Sequence, residues 1–62
     1  MNLPETGPTS PRVQQAIGMI SVQADCTIAD AFDLLRERAF ALEQTLEHTA
    51  LDVIERKIRF DA

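Results

Sequence analysis

The chain has little of several things. It contains one cysteine, two glycines, three prolines and neither tryptophan nor tyrosine. A lone Cys26 excludes an internal disulfide, and without Cys or His neighbours at ligand spacing it excludes a closed zinc site. Cys26 therefore reads as a turn cysteine without a task, and the single His48 as solvent-facing. Cations are also scarce, with six Lys and Arg against ten Asp and Glu and a formal net charge of −4. Such a balance argues against a uniformly cationic nucleic-acid binder, because affinity for nucleic acid depends on neutralising phosphates. No apolar run approaches the roughly 18 residues of a membrane span, and no charged-then-apolar leader is present. Those two absences lead us to expect no membrane association and a cytoplasmic protein. Catalytic patterns are missing as well: no Ser-His-Asp or Cys-His arrangement, no glycine-rich phosphate loop and no metal-binding cluster, so an enzyme is not expected and no cofactor is implied.

What is present is helical periodicity. Met1 to Thr9 hold Pro4, Gly7 and Pro8 among polar residues, which reads as a linker; residues 1–10 are expected to be a flexible, disordered tail and 11–62 a single domain. Leu3 to Gly7 spell the sorting signal read by sortases, but that signal is C-terminal with an apolar segment behind it, so the match here is coincidence. Ser10-Pro11 is a helix start, a capping hydroxyl followed by proline at the first helical position. Val13, Ala16, Ile17, Ile20 and Ala24 then fall on one face, predicting a helix over 11–23. Thr27 with Asp30 three residues later forms a variant capping box opening a second helix over 28–42. Its expected buried set is Ile28, Ala31, Phe32, Leu35, Ala39 and Leu42. Asp30 and Asp33 near its start suit the macrodipole without any catalytic role.

The next boundary is ambiguous. Neither Gly nor Pro separates Leu42 from Leu46, and Glu43-Gln44 are good helix formers. Residues 28 to 58 can be one long helix, which would expose an apolar stripe and press the chain to dimerise. The alternative, a break over Glu43 to Thr45 with Thr45 as N-cap, gives a third helix over 46–59. Its apolar arc is broad: Leu46, Ala50 and Val53 form one stripe, and Leu51, Ile54 and Ile58 extend it, more than the roughly 100° a simple packing needs. This excess suggests contact with two neighbours, or with one neighbour and a partner subunit. A chain this short supplies only a marginal core, and a second copy or a preceding domain is a source of extra burial. The fold expected is all-α, a small three-helix domain.

Three blocks deserve comparison with known modules: Gln15-Ala16-x-Gly18-Met19-Ile20-Ser21-Val22-Gln23, Ala31-Phe32-x-x-Leu35-Arg36-x-x-Ala39-Phe40 and Ala50-x-x-Val53-Ile54. Their content and order resemble the ANTAR domain, the RNA-binding module of bacterial transcription antitermination regulators, in the variant found with GAF sensor domains. The resemblance covers roughly Arg12 to Phe60, with Ile17 standing where the family commonly has lysine. It implies a compact three-helix domain that binds hairpin RNA in a leader transcript and so prevents terminator formation. It also implies partnership with a GAF or receiver sensor domain, in cis or in trans, and allows a homodimer. On this reading Arg12, Gln15, Arg36 and Arg56 contact RNA, while Ala16, Gly18, Ala31 and Ala39 set how closely the helices approach.

Each of these residues has a plainer reading beside it. Gly18 lies off the core face, where glycine costs about 1 kcal/mol relative to alanine, and either tight helix packing or the approach of a ligand accounts for that. Arg12, Gln15, Met19 and Val22 share the non-core side of the first helix, a contact surface for RNA or for an upstream domain. Arg36 and Phe40 lie one turn apart, so the guanidinium can rest on the ring, both can face a ligand, or Arg36 can pair with Asp33. The cluster Arg56, Lys57 and Arg59 suits either a helix C-terminal dipole or phosphate. A helical interaction module without RNA binding is the competing function. A DNA-reading helix-turn-helix is weaker still, lacking a basic, amide-rich recognition face.

Overall fold

Three hydroxyl side chains start three helices. The computed structural model describes residues 10–60, and in it α1 spans Pro11–Ala24, α2 spans Ile28–Leu42 and α3 spans Leu46–Ile54. Ser10 Oγ accepts from the Val13 N–H at 3.3 Å, Thr27 Oγ1 from Asp30 at 3.1 Å and Thr45 Oγ1 from His48 at 3.0 Å. Each satisfies an amide that the helix itself leaves without an acceptor. Ser10 is buried as well as capping, so it belongs to the folded body rather than to the expected tail. The remainder of that tail, Met1 to Thr9 with its sortase-like string, lies outside the described residues.

The three helices also end alike. Asp25, Glu43 and Arg56 have φ of 54°, 57° and 65°, the left-handed region where glycine normally sits. After each, the next amide reaches back five residues: Cys26 to the Ser21 carbonyl at 3.1 Å, Gln44 to Ala39 at 2.9 Å and Lys57 to Asp52 at 2.8 Å. These are Schellman closures made without glycine, and they settle the boundary that composition left open. The chain between α2 and α3 breaks at Glu43, with Thr45 as N-cap, so the continuous-helix alternative is set aside. The first helix runs one residue past its expected end. The third stops at Ile54 rather than continuing to 59, because the left-handed turn at Arg56 reverses the chain and lets Ile58 and Phe60 pack back on the core.

The interior is assembled from Val13, Ala16, Ile17 and Ile20 of α1, Ala31, Leu35 and Ala39 of α2, and Ala50 and Val53 of α3. Helix α1 packs against both neighbours, most extensively against α3. Ala24, Phe32, Leu46, Ile54 and Ile58 pack around this centre partly buried. Two expected core residues are outside it: Ile28 is 59% and Leu42 46% exposed. Both are terminal residues of α2, where the chain turns away and fewer neighbouring side chains surround them. Conversely Thr49 is fully buried; its Oγ1 lies 2.9 Å from the Thr45 carbonyl and 3.0 Å from Gln44 Oε1, so the hydroxyl is satisfied inside the core. Among the described residues no helix is long and apolar enough to cross a membrane.

Two stability tests follow from this geometry. Replacing Glu43 with glycine removes the left-handed penalty at the α2–α3 corner and should stabilise the domain by about 1 kcal/mol, a rise of roughly 4–8 °C in Tm by circular dichroism. Leu35→Ala should destabilise it by roughly 2–5 kcal/mol, because a fully buried side chain is lost from a small core.

Candidate nucleic-acid interface

Along the flank of α1 beside its core face, Gln15, Gly18, Met19, Val22 and Gln23 recur at three- and four-residue spacing and line an open groove of about 430 Å³. The far wall is Arg56. This arginine arrives there because it is the left-handed corner closing α3, the same turn that shortens the helix. Two of the sequence-derived site residues, Gln15 and Arg56, are thus brought to one groove although they lie at opposite ends of the domain in sequence.

The floor and walls are chemically mixed. Met19 and Val22 supply apolar surface, Val22 being 81% exposed, and the two glutamines supply amides that both donate and accept. Gly18 opens the floor. A Cβ built at Gly18 would meet no atom within 4 Å, so the glycine is not what lets the helices pack, and the expectation that it sets helix approach is corrected. Close approach belongs to Ala16, Ala31 and Ala39, all buried. Ile17, one residue before Gly18, points into the core.

Electrostatics single out Arg56. Arg12 is bound across to Glu47 of α3 at 3.6 Å, Arg36 to Asp33 at 2.8 Å and Lys57 to Glu55 at 3.3 Å. Arg38 lies 4.7 Å from the centre of the Phe60 ring. Arg56 makes no ion pair among the described residues, and no carboxylate lines its groove. Arg12 sits one turn before Gln15 on α1, with its charge compensated by an exposed pair of the kind worth about 0–1 kcal/mol. It can exchange Glu47 for a phosphate at little cost, but it does not line the groove.

Arg36 belongs to a separate patch. Its guanidinium lies over Phe32, 5.9 Å from the ring centre, and not over Phe40 as the one-turn spacing allows. Arg36, Glu37 and Phe40 together line a second, smaller hollow of about 330 Å³, where Phe40 is 87% exposed. Of the four residues expected to contact RNA, then, two share the groove, one neighbours it along α1, and one stands on α2 with a carboxylate beside it.

Sequence reasoning missed Gln23 as a site residue, although it extends the Gln15–Met19–Val22 face by one further turn. It also missed Arg38 and Phe60, whose pairing depends on the chain reversal at Arg56. Cys26 is a free, half-buried thiol in the α1–α2 turn, where its carbonyl accepts from Ser21 Oγ at 2.7 Å, and His48 is exposed. Among the described residues, no group of three or more His, Cys, Asp or Glu is placed to hold a metal.

Comparison of the chain with protein-family models, with curated proteins and with solved structures gives no match in any of the three. The open space above Gly18 makes a direct prediction. Gly18→Ala should stabilise the fold by up to about 1 kcal/mol in chemical denaturation, since alanine is the better helix former and its methyl has room. A destabilised variant would show the groove to be narrower than described.

Proposed function

We propose that this chain is a hairpin-RNA-binding module of the ANTAR type, acting in transcription antitermination by stabilising a stem-loop of a leader transcript. The observation that carries the reading is the composition of the groove: one arginine without a carboxylate partner among the described residues, two glutamine amides and an apolar floor, on a molecule of net negative charge. RNA loops are recognised by such mixtures, in which phosphate is neutralised by a cation, unstacked bases lie on apolar or planar groups, and amides bond base edges. Arg56 and Gln15 are the primary contacts. Arg12 joins them by leaving Glu47, and Arg36 with exposed Phe40 offers a secondary guanidinium and stacking surface on α2. A GAF or receiver domain, in cis or in trans, is the source of signal sensing in this scheme.

A competing reading is a helical interaction module that associates with itself or with a sensor protein. The exposed apolar side chains of Phe40, Ile28 and Leu42 favour it. Titration of stem-loop RNA at increasing salt separates the two. The RNA reading predicts affinity that falls with ionic strength, and Arg56→Ala should weaken binding by about tenfold and reduce the salt slope by about one phosphate contact without loss of helicity. Arg36→Ala should produce a smaller loss. No retention of RNA in dilute buffer, combined with helicity that rises with protein concentration, would establish the interaction module instead.

A further inference from the structure

The segment after α3 is tied to all three helices. Its first turn is closed by the Lys57 N–H on the Asp52 carbonyl of α3 at 2.8 Å. At its far end the Phe60 N–H donates to Gln23 Oε1 of α1 at 3.0 Å, and the Phe60 ring carries the Arg38 guanidinium of α2 at 4.7 Å. Between these points Ile58 is packed against the core. Arg56 stands at the corner of this strap in a left-handed conformation that its own side chain does not favour, with no ion pair among the described residues to fix it. Its backbone is held by its own N–H on the Val53 carbonyl at 3.0 Å and by the attachment of the chain on either side. Gln23 links the two features, since it both anchors Phe60 and lines the groove that Arg56 walls.

We infer that Arg38 and Phe60 are positioning residues: with the Gln23 amide they clamp the 55–60 strap across α1 and α2 and so hold Arg56 at the mouth of the groove. Neither touches the groove itself. The consequence for ligand binding rests on the RNA reading above, whereas the clamp itself is a statement about the free protein. A side chain held before the ligand arrives loses less conformational freedom on binding, so loosening the strap should weaken binding without removing any contact group.

The test uses the full chain carrying Phe60→Ala, Arg38→Ala, Arg56→Ala and the Phe60→Ala/Arg56→Ala pair, with Phe60→Tyr as the conservative control. Amide hydrogen exchange is read first. In Phe60→Ala and Arg38→Ala, protection at Lys57 and at residue 60 should drop by at least about tenfold, while Ala16, Ile17 and Ile20 keep theirs and Phe60→Tyr behaves as the parent. Unchanged exchange over 55–60 in both variants overturns the clamp, whatever the protein binds. Binding of a stem-loop RNA is read second. Phe60→Ala should lose nearly as much affinity as Arg56→Ala, and the pair should lose no more than Arg56→Ala alone, because the Phe60 change acts only through the placement of Arg56. Additive losses, or full affinity in Phe60→Ala despite a loosened strap, overturn the positioning role. If the parent chain ignores the RNA while the exchange pattern is as described, the RNA reading fails and the clamp stands.

Discussion

Small residues at the helix contacts govern the rest of this structure. Ala16, Ala31, Ala39 and Ala50 are buried where larger side chains would hold the helices apart, and the bulk of the interior is then supplied by few residues, chiefly Val13, Ile20, Leu35 and Val53. Close-packed interiors tolerate little change of volume, so a core assembled this way specifies the mutual placement of its helices strongly for its size. One face of α1 is used up in contacts with α2 and α3, and its flank, with Gln15, Gly18, Met19, Val22 and Gln23, is left to form a groove. The groove is thus a by-product of how α1 is shared between its neighbours.

Helix termination is the second determinant. Left-handed closures at Asp25, Glu43 and Arg56 cost backbone energy that glycine would avoid, and a chain with three of them has given up stability at each corner. At Asp25 and Glu43 nothing beyond the turn follows from this. At Arg56 the non-glycine residue is also the cation that walls the groove, and the reversal it makes brings Phe60 under Arg38 and onto Gln23. A net negative molecule can then present local positive potential. Distribution outweighs the sum because Arg12, Arg36 and Arg38 are engaged by carboxylates or a ring, whereas Arg56 has no ion pair among the described residues.

Much of the fold was legible in the residues. Ser10-Pro11, Thr27-Ile28 and Thr45-Leu46 mark all three starts, because an N-cap hydroxyl acts on amides three residues away and needs no tertiary context. The helix ends were less visible, because Asp25, Glu43 and Arg56 adopt a conformation that sequence normally announces with glycine. Thr49 is fully buried with its hydroxyl satisfied by the Thr45 carbonyl, which periodicity did not mark, while Ile28 and Leu42, expected in the core, are exposed at the ends of α2. Periodicity assigns a face, but not how completely the fold covers it.

The candidate site was half legible. Gln15, Met19 and Val22 follow from spacing on one helix, and Gly18 stands out there by its cost relative to alanine. That Arg56 joins them, that Arg36 turns to Phe32 and Asp33, and that Gln23 and Phe60 meet across 37 positions are products of tertiary folding that local patterns do not carry. The resemblance orders these residues into a hypothesis, and Gln15 and Arg56 share one groove at which it can be tested.

That location is what one measurement can settle most directly: nitrogen–proton correlation spectra of the ¹⁵N-labelled chain, titrated with a stem-loop RNA in dilute buffer. The account predicts that amide signals of Gln15, Gly18, Met19, Gln23 and Arg56 move together with added RNA, at constant protein concentration. Signals that stay fixed there, with changes confined to the α2 surface around Ile28, Phe40 and Leu42 and driven by protein concentration alone, would contradict it.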